Sequence, residues 1–414
     1  MKVLGIVAEY NPFHFGHKYH LEISKQLTNS DYSIAVISGS FVQRGEPSII
    51  DKWTKAKMAV DNGIDLVIEL PFVFATQSAE LFAYGGVSLL NSLNIVDYIS
   101  FGSEIGNIDS LSKIAHILIN EPPYYKNRLK KYLNEGNSFS VSRSRALKDY
   151  CLKYNTNLDI DNIIKSPNNI LAIEYLKALT RLKSNIVPIT IKRIGSQFKD
   201  TKLSHKISSA TAIRKKLLEG NNVNEIKEFV PSNTYIHLLE YLKYNSFNSL
   251  DNYNQIIHYL LRIKKGQGLK NIMDIEYGLE NRIINMSTKF NDLDEFIQNI
   301  VTKRYPRSRI QRVLIHFMAG LDKYKFKEII EFYPAYIRIL GANEKGFELL
   351  KKIKERSNIP VITKFSNYKK FKNSYIEKII SFDKISTDLF FLGIKGKPPF
   401  TGRDFYTSCY IQKK

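Results

Sequence analysis

Short aliphatic and β-branched runs alternate with helical periodicities through the first hundred residues. VLGIVAEY (3–10), YSIAVIS (32–38), IDLVIELP (64–71) and VDYISFGSE (96–104) read as buried strands. Between them lie HKYHLEISKQL, KWTKAKMAVDNG and AELFAYGGVSLLNSL. These read as helices, the first with Tyr19, Ile23 and Leu27 four apart. Gly63 is expected to cap the second helix, and Pro71 to stop the third strand. Strand–helix alternation implies parallel pairing through right-handed crossovers. The expected fold is therefore α/β, a Rossmann-like doubly wound parallel sheet.

Residues 107–155 read as basic helices, and SPNNILAIEYLKALTRL as a polar loop leading into an amphipathic helix. VPITIKRI (187–194) is expected to rejoin the sheet. SSATAIRKKLLEG then opens on N-capping serines and closes on Gly220. A boundary near residue 220 would divide a catalytic domain (1–220) from a mostly helical region (221–414). In that region YIRILGAN, EKGFELLKKIKERS and PVITK predict a small βαβ-like unit. The last forty residues give no clear pattern.

Composition narrows the partners. The 414 residues hold 61 Lys and Arg against 40 Asp and Glu, a net charge of +21. Such a surplus predicts a polyanionic partner, nucleic acid or a membrane face, although a Lys-rich codon bias would also contribute. Cys151 and Cys409 offer no disulfide framework or zinc spacing, which fits a reducing cytoplasm. The apolar run near the N-terminus is too short for a signal segment. No run approaches the roughly 20 apolar residues of a membrane span.

The stretch EYNPFHFGHKYH (9–20) sits at the first strand-to-helix turn, where α/β sheets bind ligands. His14 and His17 flank Gly16 so that two imidazoles can face one ligand, and the turn is expected to be exposed. The helix start adds free N–H groups and a positive dipole end, which makes a phosphate cradle. Two other readings stay open at this point: a metal site with His20 and Glu9, or ordinary loop histidines. No cysteine or clustered carboxylate supports the first, and no metal ligand is assigned.

The segment resembles the HxGH signature of the nucleotidylyltransferase superfamily. ISSATAIR (207–214) is similar to that superfamily's ISSTxIR motif, with one extra residue before Arg214 that leaves this arginine's role open. A helix N-cap accounts for the same serines. GIVAEYNPFHFGHKYHL, FVQRGEPSIIDKWTKAKMA, DLVIELPF, FGSE, SPNNILAIEYLKAL, RYPRSRIQRVL and RILGANEKG, in that order, look like the tRNA(Met) cytidine acetate ligase family. That resemblance implies activation of acetate by ATP, with Mg²⁺, to acetyl-adenylate and pyrophosphate. The acetyl group then passes to N4 of the wobble cytidine of elongator tRNA(Met).

It also implies an ATP site of Val7, Ala8, Glu9, Tyr10, Asn11, Pro12, Phe13, His14, Phe15, Gly16, His17, Lys18, Tyr19 and His20, with Gly102, Asn168 and Arg193. His14 and His17 are the catalytic pair. On residue chemistry alone, Asn168 is equally a turn residue and Arg193 a strand-end charge. Arg44 and Lys52, in the loop after the second strand, are further cations for acetate, phosphate or RNA, or else surface charges. A nucleotidylyltransferase acting on a small phosphorylated metabolite, and a non-catalytic RNA-binding protein, remain the alternatives.

Three basic stretches suit RNA, because cations track phosphates and aromatics stack on bases. KRYPRSRIQR (303–312) has five basic residues and no acid, 351–372 has eight against Glu355, and YYKNRLKKY (124–132) interleaves tyrosines. Any one of them taken alone reads as a solvated helix face; three in one +21 chain point to an RNA surface. His116, His205, His237, His258 and His316 read as core or cap residues, and Trp53 as packing.

Overall fold

The computed structural model describes residues 1–156, 158–193, 208–220 and 222–413. Ile194, His205 and Ile207, named above, lie outside the described residues. Among the described residues there are ten strands: β1 (Val3–Ala8), β2 (Tyr32–Ser38), β3 (Phe41–Val42), β4 (Glu46–Pro47), β5 (Leu66–Leu70), β6 (Tyr98–Ser103), β7 (Val187–Lys192), β8 (Ile337–Ala342), β9 (Val361–Ile362) and β10 (Tyr410–Ile411). The main sheet runs β10-β8-β5-β2-β1-β6-β7, with β9 also on β8. The five strands from β5 to β7 are parallel; the apolar runs of β5, β2, β1 and β6 are largely buried, while the edge strand β7 buries only Ile191.

The first helices are α1 (Phe15–Thr28), α2 (Lys52–Asp61), α3 (Phe72–Ala75) and α4 (Ala79–Ser92). A Cβ on Gly86 of α4 would meet Val7 at 2.7 Å, so α4 lies on the Val7 face of β1. Ser24 of α1 bonds Ser100, whose register partner is Ile6, so α1 covers the opposite face. The sheet is thus wound on both sides.

Local details differ from the sequence reading. β1 ends at Ala8, and Tyr10 already has a φ of 46°. Asn62 rather than Gly63 caps α2, with Gly63 next in line at a φ of 105°. The loop after β2 folds into the antiparallel ribbon β3–β4. The βαβ-like unit is present, as Ile337 pairs in parallel with Val361, and it joins the main sheet because β8 runs antiparallel to β5. The featureless C-terminal stretch includes a long helix, Ser374–Leu392, capped by Asn373, and β10.

A buried charge cluster fastens these parts. Lys52 Nζ lies 2.8 Å from both Glu69 and Asp404 and 2.9 Å from Thr387 Oγ1. Arg338 reaches Glu69 at 2.9 Å and Asp404 at 2.6 Å. Asp383 accepts from the Phe72 amide at 2.8 Å and from the Tyr336 hydroxyl. Burial raises the Asp383 carboxyl to about 7, with the Glu69 charge adding to it. Burial opposes ionisation of Asp404 too, but Arg338 and Lys52 outweigh it and hold that carboxyl low. Lys52 is therefore a structural cation and not part of a binding loop, contrary to its reading as a candidate for acetate or phosphate.

Removing one partner from a buried pair leaves a charge without compensation. Asp404→Ala should lose about 3–5 kcal/mol of stability on that basis. A urea unfolding midpoint equal to wild type would show that the cluster does not hold the sheet together.

Candidate active site

The chain leaves β1 toward β2 on one side, and β6 lies on the other, so the strand order reverses at β1. Ligands bind at such a switch point, beyond the carboxyl ends of the strands. A cavity of about 400 Å³ opens there. Val7, Ala8, Glu9, Tyr10, His14, Gly16, His17, Tyr19, His20, Gly102, Asn168 and Arg193 line it. Asn11, Pro12, Phe13, Phe15 and Lys18 do not. Asn11 holds the loop instead: its Oδ1 accepts from Ile49 N at 2.8 Å and Ser48 Oγ at 3.2 Å. Pro12 is buried, and Phe13 packs between Tyr10 and His17. Phe15 opens α1, and Lys18 pairs with Glu22 on its outer surface.

The histidine pair is built into the helix start. His14 is the N-cap of α1, and its Nδ1 accepts from Gly16 N at 3.0 Å. His17 Nδ1 accepts from the His14 amide at 3.3 Å, completing a reciprocal capping box, and the two rings stack at 3.8 Å. An Nδ1 that accepts requires the proton on Nε2. Both imidazoles are thus fixed as Nε2–H donors. The turn is not exposed as expected: His14 is buried and His17 half-buried. Burial, then Arg193 and Arg214, lowers His14 to about 3, and burial with His14 beside it holds His17 well below the usual range. The histidines therefore act as neutral donors.

His20 is oriented by a relay. Ser24 Oγ donates to His20 O at 2.5 Å, which leaves Ser100 to donate to Ser24 Oγ at 2.7 Å. Ser100 then accepts His20 Nε2–H at 2.9 Å, so His20 Nδ1 is left as an acceptor. Burial lowers His20 to about 4.

Positive charge comes from arginines. Arg193 follows β7 and lies over Gly102, where a Cβ would come within 3.3 Å of its Cγ, so Gly102 makes room for the side chain. Burial lowers the Arg193 guanidinium and Glu104 opposes that fall. Arg214 donates to Asn11 O at 2.9 Å and lines the cavity with Ser208, Ser209 and Thr211, so the extra residue in ISSATAIR does not carry it away. Asn168 Nδ2 donates to Glu104 Oε1 at 2.7 Å, and Asn169 Oδ1 accepts from the Glu104 amide at 2.9 Å. SPNN and FGSE are thereby locked together.

Further residues line the cavity, and of these only Arg44 was named from the sequence. Phe82, Phe101 and Tyr175 supply an apolar wall, with the last two rings stacked at 5.4 Å. Gln43, Arg44 and Glu46 arrive on the β3–β4 ribbon. For Gln43 and Glu46 only the polar richness of QRGE gave a signal. Lys55 lies behind the site, with Nζ 2.6 Å from Ser38 O and 2.8 Å from Gly39 O, and burial pulls it down to about 7. His237 pairs with Asp61 at 2.6 Å and His316 with Thr76 at 3.0 Å, both away from the cavity.

Cavity and charge suit a nucleotide polyphosphate, with N–H donors and arginines at one end and aromatic carbon at the other. The family model for HIGH nucleotidyl transferases matches residues 1–399. A Thermoanaerobacter protein named tRNA(Met) cytidine acetate ligase is 47% identical over 407 residues, covering 98% of each chain. Its Clostridium perfringens namesake is 44% identical over 394 residues, covering 94% of this chain and 95% of its own. Among solved structures, Thermotoga maritima TmcAL (apo) aligns with a TM-score of 0.95 over 100% of both chains at 34% identity. TmcAL bound with alpha-thio ATP aligns with a TM-score of 0.92 over 99% of each chain at 33% identity.

A depressed histidine pKa makes stability complete above the unfolded value of 6.5 and lost as pH falls below it, because the unfolded chain binds the proton first. In ¹⁵N-histidine NMR spectra, His14, His17 and His20 should remain neutral Nε2–H tautomers from pH 8 to pH 5, while stability declines below 6.5. A His14 or His17 ring that titrates near 6.5 would contradict the buried, neutral cradle.

Proposed function

We propose, from the premise that the chain belongs to the HIGH nucleotidyl transferase family, as the whole-chain match and full-length relatives show, that it is an ATP-dependent tRNA cytidine acetate ligase. The observation that carries this reading is the pair of Nε2–H donors on the helix N-terminus, faced by Arg193 and Arg214 across the cavity. Relatives that share the whole chain length favour it over a small-metabolite nucleotidylyltransferase.

Acetate, with a pKa between about 4 and 5, is ionised at neutral pH, so the first step needs no general base. Its carboxylate attacks the α-phosphorus of ATP and pyrophosphate leaves. The task is to bring two anions together and hold the charge on the phosphoryl oxygens. Fixed N–H donors and guanidinium groups do this without reorganisation. Mg²⁺ would come with the triphosphate and offset its charge, as it is usually held through substrate phosphates rather than by a protein cage.

In the second step, N4 of the wobble cytidine of elongator tRNA(Met) attacks the acetyl carbonyl, AMP leaves, and N4 gives up one proton. That amine is a weak nucleophile, so it needs the mixed anhydride. An anticodon loop can splay the base out at low cost. No helix among the described residues is long and apolar enough to cross a membrane. We assign the reaction to the cytoplasm, where its RNA substrate resides.

The basic stretches differ in how their charge is used. In 303–312, Arg304 and Arg309 pair with Glu276, Arg307 with Asp294 and Arg312 with Asp274. The lysines of 364–372 are exposed and form no ion pair among those of the described residues. β9 pairs with the start of β8, which lies toward the carboxyl end of β5. β9 runs parallel to β8, so the chain after it heads back along the sheet, and it is the exposed charge of these lysines, outside the ion pairs of the described residues, that favours them as the RNA track.

Incubation with ATP, Mg²⁺ and labelled acetate should place label in tRNA, at N4-acetylcytidine after digestion. No label and no acetate-dependent pyrophosphate exchange would sink the reading. His14→Asn keeps an N-cap side chain but loses the Nε2–H donor. It should lower acetate-dependent exchange about 10²–10³-fold, as loss of a comparable oxyanion donor does. Replacing Lys364, Lys369, Lys370 and Lys372 together by Ala should weaken tRNA binding and flatten its salt dependence while sparing exchange. Unchanged affinity would put the RNA track elsewhere.

A further inference from the structure

The β3–β4 ribbon is more firmly held than a surface loop needs. Gln43 N donates to Glu9 Oε1 at 2.9 Å, and Gln43 Nε2 to Gln77 O at 2.8 Å. Gly45, at a φ of 75°, closes the turn with its amide 2.9 Å from Val42 O. A Cβ there would fall 2.3 Å from the Arg312 amide, so the ribbon's backbone lies directly on helix Arg307–Ala319. From that helix Gln311 Nε2 donates to Glu46 Oε1 at 3.1 Å. Arg44 and Glu46, either side of Gly45, both line the cavity and are half-buried. Glu9 and Glu46 are the acidic neighbours that oppose the fall burial imposes on Arg44.

This wall does not match a polyphosphate, which a carboxylate repels. It does match a pyrimidine edge. Cytosine presents, in a row, an N4–H donor and the N3 and O2 acceptors. A carboxylate beside a guanidinium offers an acceptor and two parallel donors. Uracil presents O4 and N3–H at the first two positions, which would set an oxygen against the carboxylate and a donor against the guanidinium.

We propose that Arg44 and Glu46 read the Watson–Crick edge of the target cytosine, the carboxylate holding N4–H and the guanidinium N3 and O2. Helix Arg307–Ala319 is then the support that fixes this reader opposite the nucleotide. The assignment rests on the ligase reading, and it makes the ribbon the acceptor half of the site.

The test separates the two steps and the two hypotheses. Glu46→Ala should keep acetate-dependent pyrophosphate exchange within about threefold of wild type, yet lose about 10–100-fold in kcat/KM for acetyl transfer to tRNA. Glu46→Gln, of equal size and still able to accept from Gln311, should lose less in the same step at an unchanged melting temperature, while Glu46→Ala should melt slightly lower for want of that bond. Competition between anticodon stem-loops carrying cytidine or uridine at the wobble position gives a second readout. Wild type should prefer the cytidine competitor, and Glu46→Ala should lose that preference. Wild-type transfer by Glu46→Ala would overturn the proposal, and so would equal loss of exchange and transfer, which would place Glu46 with the nucleotide. A wild-type protein with no acetate-dependent exchange at all would overturn the ligase reading first, whatever Glu46 does.

Discussion

Lys52 reaches Glu69 and Asp404 where neither carboxylate meets solvent, and Arg338 reaches the same two carboxylates. Taking each of these ions out of water costs several kcal/mol unless the partners are all in place. The four come from α2, β5, β8 and the turn at Arg403–Tyr406, so the charges are satisfied only when both ends of the chain have met. Asp383 extends the network by accepting from the first amide of α3, just after β5. β5 begins the row of parallel strands whose carboxyl ends form the cavity, and α3 leads into α4 behind β1. The site's floor is thus anchored by charges that never touch a substrate.

Inside the cavity the division of labour is electrostatic. The histidines spend Nδ1 on capping α1, which removes them as bases and leaves directed N–H groups. Net positive charge is left to guanidinium groups, which stay ionised even when desolvation pulls them down. An adenylating site needs this combination. Neutral donors do not vary with pH in the working range, and fixed cations offset the approach of a carboxylate to a triphosphate.

The sequence disclosed what is local. A β-branched run, a glycine between histidines and a helical period lie next to one another in the chain, so the strand–helix turn that carries His14 and His17 was readable from VLGIVAEYNPFHFGHKYH. Gly102, Asn168 and Arg193 were found only by resemblance, because FGSE, SPNN and KR carry no period or spacing that marks a site. What failed was non-local. Lys52 looks like any loop cation until Asp404 is brought to it. The ion pairs that Asp274, Glu276 and Asp294 make with the arginines of 303–312 were equally out of reach of the sequence. No pattern within YIRILGAN tells that it will lie antiparallel to a strand from the other end of the chain.

That last pairing bears on how the protein is made. β5 is buried along its whole length, yet one of its edges is covered only by β8. During synthesis at about 5–20 residues per second, the chain between them takes tens of seconds to emerge. Until then the nascent N-terminal half carries a hydrophobic, hydrogen-bonding strand edge with nothing beside it, the kind of template on which other chains add. The parallel strands can assemble early, but they remain an unfinished surface until the last fifth of the chain arrives. How long that edge stays open is therefore set by the arrival of β8, far from the residues that line the cavity.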